Sequence, residues 1–173
     1  LAVSLACGLG RDDAETLATL RTAANLSHVG TIQLPKYLLT KTGALSEQER
    51  ALLQQHVEFA REALAGIDFG LPVLEAITQM YERLDGSGYP LALNDGAICL
   101  NARILAVANT FCALMRPRSY REAHSTEDAL NILSETPPKY DAAVVGSLRS
   151  FLETESGMVF LEHLLGDPQP NSA

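Results

Sequence analysis

The sequence predicts an all-α fold, a compact bundle of about seven or more helices in a single domain. Three observations support this prediction. Apolar residues recur at spacings of three and four, helix-capping residues precede several of these segments, and no stretch alternates between apolar and polar residues as a strand does. With 173 residues, of which 47% are hydrophobic, the chain is long enough to bury a substantial core.

The first third of the chain begins with a short apolar helix. The segment LAVSLACGLG lacks the basic residues of a secretion signal, and we interpret it as the end of a helix that begins upstream. Asp12 or Asp13 is placed to cap the next helix, which we expect to end near Gly30. The apolar positions of that helix are Leu17, Leu20 and Ala24.

Two longer helices are predicted in the middle of the chain. Ser46 and Glu49 form an S-x-x-E capping box, which opens the first of them. Its apolar face carries Leu52, His56, Phe59 and Ala63. The second runs from about Leu71 to Leu84, and its apolar stripe is Val73, Ile77, Met80 and Leu84.

The C-terminal half is predicted to contain the central helix of the bundle. Residues 101–115 are apolar on nearly all sides, which is typical of a buried helix. Ser125 with Asp128 predicts a further helix start, and residues 141–152 form one more helix. The polar, proline-containing tail at residues 166–173 is expected to be disordered, so that the domain covers residues 1–165.

Charge, cysteine content and hydropathy exclude several classes of function. The net charge of −8 disfavours general binding to nucleic acid. Cys7, Cys99 and Cys112 include no C-x-x-C pair, which excludes a cysteine zinc site and fits a reducing cytoplasm. No window is long and apolar enough for a membrane helix. We therefore expect a cytoplasmic protein that does not bind nucleic acid and has no membrane segment in this chain.

The sequence DGSGYP at residues 85–90 predicts a tightly specified turn. Gly86 and Gly88 can adopt positive φ, the Asp85 side chain can accept from nearby backbone amides, and Pro90 restricts its own φ. By itself this pattern is typical of a connection between two core helices.

Together with its surroundings, the loop resembles the bacterial HD-GYP domain. The resemblance is carried by YERLDGSGYP, ARILAVA and YREA, and it extends from about Leu5 to Leu152. It implies the all-α fold of the HD-domain phosphohydrolases with an extended GYP loop. Active members of that family hydrolyse the second messenger cyclic di-GMP at a cluster of divalent iron or manganese ions. The family's loop is also associated with docking to diguanylate cyclase (GGDEF-type) domains, and here that surface would consist of Asp85, Gly86, Gly88, Tyr89 and Pro90.

Most of the metal-ligand positions that the resemblance implies hold other residue types. Six positions can be compared, and one of them, His56, keeps the expected type. The six are Ser27, His28, His56, Met80, Tyr81 and Asn109. Several cations close together would repel one another without carboxylates to offset their charge. We therefore expect neither a metal cluster nor a cofactor, and a single metal held by His28 and His56 stays open.

Each of these residues also has a structural interpretation. His56 lies on an apolar face, where a hydrogen-bonded core histidine is typical. His28 stands at a helix end, where its imidazole can bond the last carbonyls. Met80 would fill the space that metals would otherwise occupy, and Asn109 would be buried with Tyr81 as a hydrogen-bond partner.

The segment RPRSYREA keeps two basic positions that contact the phosphates of the dinucleotide in the family. These are Arg118 and Arg121, whose planar guanidinium groups suit phosphate oxygens. A solvated loop that carries arginines is the alternative interpretation.

We interpret the chain as a bacterial signalling module, a catalytically inactive HD-GYP domain. It would bind cyclic di-GMP, or it would dock a diguanylate cyclase or another signalling partner, and we expect an upstream sensory or regulatory domain in the full-length protein. The alternative is a cyclic di-GMP phosphodiesterase with an altered metal site, completed by residues upstream.

Overall fold

The structure, a computed structural model, describes residues 1–117, 122–135 and 138–166. These residues form ten α-helices and two 3₁₀ turns and contain no β-strand, which confirms the predicted all-α fold. The helices are α1 (Ala2–Gly8), α2 (Ala14–Leu26), α3 (Lys36–Thr40), α4 (Glu47–Gln54), α5 (His56–Leu64), α6 (Val73–Gln79), α7 (Leu100–Met115), α8 (Thr126–Leu133), α9 (Ala142–Leu152) and α10 (Glu155–Gly166). The 3₁₀ turns are Val29–Gln33 and Asp95–Ala97.

Side-chain caps begin four of the helices, and three of them, at Asp13, Ser46 and Ser125, were predicted from the sequence. In the capping box of α4, the Ser46 amide donates to Glu49 Oε2 at 2.8 Å, and the Glu49 amide donates to Ser46 Oγ at 3.2 Å. Backbone amides of the first turn likewise donate to the side chains of Asp13, Ser125 and Asp141.

The helix predicted after Ser46 is divided in two. The Gln55 amide donates to the Leu52 carbonyl three residues back, at 3.2 Å, and this tighter turn separates α4 from α5. The turn also changes which residues of α5 face the core. Ala63 is exposed, contrary to the predicted stripe. The buried residues of α5 are His56, Val57, Ala60 and Leu64.

Two further helices end earlier than predicted. Helix α6 stops at Gln79, because the Glu82 amide closes a turn on the Gln79 carbonyl at 2.9 Å and the chain leaves the helix there. Helix α2 stops at Leu26, and the chain tightens into the 3₁₀ turn instead of reaching Gly30 in a left-handed C-terminal conformation.

Helix α10 was not predicted as a separate element. It packs on α9, where Gly157 allows a close crossing: a Cβ at this position would lie 2.0 Å from the Phe151 carbonyl oxygen. Gly166 is its last residue and therefore does not belong to the predicted tail, and residues 167–173 lie outside the described residues.

Helix α7 is the central helix of the bundle, as predicted. It packs against α1, α2, α6, α8, α9 and α10. Ile104, Val107 and Phe111 are fully buried along it. None of the described helices is long and apolar enough to cross a bilayer.

A close backbone contact joins the 3₁₀ turn at Val29–Gln33 to α5. A Cβ at Gly30 would lie 1.9 Å from the His56 carbonyl oxygen and 2.6 Å from the Ala60 nitrogen. The absence of a side chain at Gly30 therefore lets the segment that carries Ser27 and His28 lie directly beside the start of α5.

Candidate functional site

Ser27 and His28, two of the six compared positions, follow the end of α2. Ser27 is buried, and its hydroxyl donates to the Ala24 carbonyl of its own helix at 2.9 Å. His28 is exposed, and its carbonyl accepts from both the amide and the hydroxyl of Thr31, at 3.0 and 2.7 Å. The Ser27 oxygen is thus oriented towards the backbone of α2 by an internal hydrogen bond.

His56 is a buried histidine with one satisfied nitrogen. Its side chain is 4% exposed, and Nδ1 lies 2.7 Å from the Leu53 carbonyl oxygen. Since a carbonyl can only accept, we assign the proton to Nδ1, which leaves a lone pair on Nε2. Nε2 is buried and makes no hydrogen bond to any residue that the structure describes. Burial lowers the pKa of His56, and the neighbouring His28 contributes in the same direction.

Two tyrosine rings surround the buried imidazole. The Tyr81 ring meets His56 edge-on, with centroids 4.6 Å apart, and the Tyr89 ring stacks on Tyr81 at 5.2 Å. The Tyr89 and His56 centroids lie 6.2 Å apart. The Tyr81 hydroxyl lies 3.4 Å from Nδ1 of His28, so that Tyr81 contacts both His28 and His56. Burial strongly raises the pKa of the Tyr89 hydroxyl, which therefore stays protonated.

The remaining two compared positions differ from each other in burial. Met80 is 2% exposed and belongs to the core, as predicted. Asn109 is half-buried on α7, not buried as predicted, and no hydrogen bond joins it to Tyr81 within the described residues. A half-buried carboxamide can be hydrated, so it does not require the predicted partner.

The donor set at these positions does not fit a multinuclear divalent metal centre. It offers a hydroxyl, two imidazoles, a thioether, a phenol and an amide, and none of the six positions supplies a carboxylate. Within residues 1–117, 122–135 and 138–166, no three His, Cys, Asp or Glu side chains lie close enough together to hold a metal ion. The Tyr81 ring lies against His56, the one compared position that keeps the residue type expected of a metal ligand.

The two glycines of the DGSGYP loop have different roles. Gly86 has φ of +77°, as predicted for the turn. Gly88 does not have a positive φ; instead, a Cβ here would lie 2.4 Å from both the Arg83 nitrogen and the Glu82 Cα. Asp85 accepts from the amide and hydroxyl of Ser87, and these hydrogen bonds lower the pKa of its carboxyl group.

Glu82 anchors the residues that follow the DGSGYP sequence, a role that no sequence pattern predicted. Its side chain is 2% exposed, and its carboxylate accepts from the Leu91 amide at 2.7 Å and from the Leu93 amide at 2.9 Å. Ala92 lies between these two amides with φ of +52°. An acidic residue directly after the apolar stripe of α6 was the available signal, since a buried carboxylate needs hydrogen-bond donors.

The base of the loop is joined to the segment that precedes α9. The Leu84 amide donates to the Lys139 carbonyl at 3.1 Å, and the Arg83 guanidinium lies 4.8 Å from the centre of the Tyr140 ring. Arg103 of α7 donates to Asp141 at 3.2 Å and to the Asp95 carbonyl at 2.7 Å. These contacts support the interpretation of the loop as a well-packed connection between core helices.

Of the predicted docking residues, Tyr89 and Gly88 face inward. Tyr89 is half-buried in its stack on Tyr81, and its amide donates to the Tyr81 carbonyl at 3.2 Å. Asp85 and Pro90 are exposed, and the adjacent Leu91 is 71% exposed. The accessible part of the loop is thus its tip rather than its tyrosine.

The predicted phosphate contacts, Arg118 and Arg121, lie outside the described residues and stay predictions. Arg116 precedes them at the end of α7 and is exposed.

Comparisons with known proteins show that the chain is similar to parts of several cyclic-dinucleotide phosphodiesterases. The model of the family described as HD domain matches residues 1–144. The chain is 38% identical to the cyclic di-GMP phosphodiesterase response regulator RpfG of Xanthomonas campestris pv. campestris over 121 residues, covering 69% of this chain and 32% of the relative. It is 38% identical to 3'3'-cGAMP-specific phosphodiesterase 1 of Vibrio cholerae over 105 residues, covering 61% and 24%. It is 32% identical to a cyclic di-GMP phosphodiesterase of Thermotoga maritima over 139 residues, covering 77% and 36%.

A solved structure has the same fold. The crystal structure of the cyclic GMP-AMP specific phosphodiesterase V-cGAP3 of V. cholerae superposes with a TM-score of 0.66, at 19% identity, over 93% of this chain and 44% of that one. The chain spans about a quarter to a third of the length of the curated relatives it matches. These matches confirm the resemblance inferred from the loop sequence.

Proposed function

The chain belongs to the HD domain family, and we propose that it is a second-messenger signalling module of that family without phosphodiesterase activity. The observation that carries the proposal is the donor set around His56. Phosphodiester hydrolysis in an HD site needs a metal-activated water and positive charge on the phosphate oxygens. Here a tyrosine ring stands 4.6 Å from the one imidazole that keeps its expected type, and no carboxylate occupies the compared positions.

The site lacks a substitute for that chemistry among its described residues. His56 is neutral and buried, and its ring lies beside the rings of Tyr81 and Tyr89. Ser27 donates to its own helix, and the Tyr89 hydroxyl stays protonated because burial raises its pKa. None of these groups is arranged as a base for water near a bound phosphate, so the barrier to cleavage would remain large.

In place of catalysis, we assign the module a docking role, with a GGDEF-type diguanylate cyclase domain as the partner that the HD-GYP resemblance suggests. The support for this docking role is the conformation of the loop and the exposure of its tip. Its contacts to Glu82, Tyr81 and Lys139 keep it ordered without a metal ion, and its tip is exposed. A preformed loop loses little conformational freedom on binding, which favours its use as a docking element.

Binding of a cyclic dinucleotide is the second candidate. The relatives are named for cyclic di-GMP and for 3'3'-cGAMP, and Arg118 and Arg121 are the residues that we propose contact its phosphates. The alternative to both candidates is a phosphodiesterase with an altered metal set.

Metal content and turnover distinguish the module from the enzyme. Protein purified without chelator should contain substoichiometric iron and manganese by elemental analysis. It should not hydrolyse cyclic di-GMP or 3'3'-cGAMP with either metal added, while the Thermotoga maritima relative serves as the positive control. Stoichiometric metal together with turnover would establish the altered phosphodiesterase instead.

Calorimetric titration tests the second candidate separately. Cyclic di-GMP and 3'3'-cGAMP are titrated into the parent and into the double variant Arg118→Ala with Arg121→Ala. The single variant Arg149→Ala is the matched control, because that arginine is exposed on α9. Binding that the double variant loses and the control keeps would support the nucleotide site; absence of heat in the parent would contradict it.

A further inference from the structure

The exposed tip of the loop between α6 and α7 is apolar. Leu91 is 71% exposed, and its neighbours Pro90 and Ala92 are exposed as well. Leu91 lies two residues after Tyr89, whose ring stacks on Tyr81 and whose amide donates to the Tyr81 carbonyl. These contacts fix the direction of the chain on the N-terminal side of the tip. The tip therefore presents a large apolar side chain on a backbone that is anchored beside it.

Glu82 anchors the tip from the other side. Its buried carboxylate accepts from the Leu91 and Leu93 amides at 2.7 and 2.9 Å, on both sides of Ala92. Hydrogen bonds to a charged acceptor are stronger than those between neutral groups. They hold Ala92 in the left-handed region, at φ of +52°, which a residue with a Cβ rarely adopts. Because both amides point towards Glu82, the Leu91 side chain is left on the solvent side.

The charge at the tip indicates which kind of partner it can accept. Residues 86–94 carry no charged side chain, and exposed carboxylates stand at both ends, Asp85 and Asp95. Arg103 lies 3.4 Å from Asp95 and partly offsets its charge; the hydrogen bonds from Ser87 and, to a smaller extent, the charge of Lys139 keep Asp85 ionised by lowering its pKa. An anionic nucleotide or lipid surface would find no cation on this loop, and Asp85 would repel it. A protein with an apolar pocket bordered by a lysine or arginine matches both features.

We propose that Leu91 is the anchor of the docking surface, that Glu82 is the residue that positions it, and that the occupant is a partner protein with such a pocket. This proposal rests on the docking function proposed above and makes it more specific. Gly86, Gly88 and Tyr89 shape the loop, and Leu91, next to the exposed Pro90, supplies the contact area.

Binding to a purified GGDEF-type diguanylate cyclase domain tests the anchor. Biolayer interferometry compares the parent with Leu91→Asp and with Leu165→Asp, a matched control on α10 whose leucine is 59% exposed. Leu91→Asp should weaken binding by about tenfold or more, as expected for a central apolar anchor, while the control stays within about twofold. Asp85→Asn should mainly slow association and reduce its dependence on salt.

The positioning role of Glu82 has a readout that does not depend on the partner. In Glu82→Gln the amide can accept from one of the two backbone groups and opposes the other with its own N–H. Hydrogen exchange at the Leu91 and Leu93 amides should become faster, and binding should weaken. A variant in which both amides exchange as slowly as in the parent would refute the positioning role.

The outcomes distinguish a failure of the docking function from a failure of Leu91 as its anchor. If the parent does not bind the cyclase domain, the docking function fails and the anchor fails with it. If the parent binds and Leu91→Asp binds within about twofold of it, the docking function stands and Leu91 is refuted as its anchor.

Discussion

The substitution Gly88→Ala tests whether the loop is held by close backbone packing. The added Cβ would stand 2.4 Å from the Arg83 nitrogen and the Glu82 Cα, and 2.6 Å from the Glu82 carbonyl carbon. These are backbone atoms, so no side-chain rotation can relieve the clash, and the loop must move outward. Movement would break the hydrogen bond from the Tyr89 amide to the Tyr81 carbonyl and the stack of the two rings. Each of these contacts contributes about 1 kcal/mol, and the overpacking itself costs about 1–3 kcal/mol.

We therefore expect Gly88→Ala to lower the free energy of unfolding by about 3 kcal/mol or more, and the melting temperature by about 6–12 °C. Urea unfolding and thermal melting followed by circular dichroism measure both quantities. Gly96→Ala is the matched control, since this glycine lies in the same connection with no atom within 4 Å of an added Cβ. If Gly88→Ala melts within about 2 °C of the parent, the packing argument is wrong.

The remaining predictions concern three other places in the fold. Gly30→Ala should cost about 3 kcal/mol, because its Cβ would meet the backbone of α5, whereas Gly43→Ala should stay within about 0.5 kcal/mol in urea unfolding. His56 has a lowered pKa in the folded state, so its stabilising effect is complete above the unfolded pKa of about 6.5 and is lost as the pH falls below it. Between pH 7.5 and 5.5 the parent should therefore lose up to about 1.4 kcal/mol more than His56→Gln in urea unfolding, and equal losses would contradict the buried neutral imidazole. Ser46→Ala should cost about 1 kcal/mol by removing the cap of α4, and an unchanged urea midpoint would show that the cap does not contribute.

Local signals along the chain predicted most of the helices. The capping box at Ser46 and Glu49, and the cap at Ser125, involve residues three positions apart, so the sequence contains both partners of each interaction. The buried character of α7 was equally clear, since apolar residues on all its faces can only be accommodated inside the bundle. The break at Gln55 was not predictable in this way, because both halves are strong helix formers and the tighter turn changes only the rotation of α5.

The sequence predicted which residues make up the candidate site but not how these residues are arranged. The sequence indicated which ligand types were replaced, and the structure adds how the replacements fit together. That the Tyr81 ring would lie edge-on to His56 while its hydroxyl reaches His28 depends on contacts between residues 25 and 53 positions apart. Periodicity carries no information about such distances. The same limit applies to Gly88, whose close packing against Glu82 can be recognised only once the turn is built.

The position of Glu82 explains how a loop of this kind can be independent of a metal centre. Its carboxylate directly follows the two compared positions Met80 and Tyr81, yet it points towards the Leu91 and Leu93 amides and is satisfied by them. The loop is therefore held by the carboxylate of a protein side chain, Glu82. Replacing the two preceding residues changes what surrounds His56, but it removes no hydrogen-bond acceptor from the loop. Tyr81 adds to the support, because its carbonyl accepts from the Tyr89 amide and its ring forms one side of the stack. The hydrogen bonds from the loop to Glu82 and to the Tyr81 carbonyl thus do not involve the side chains at the six compared positions, so that they can be kept when those side chains change, whereas the ring stack depends on the Tyr81 side chain.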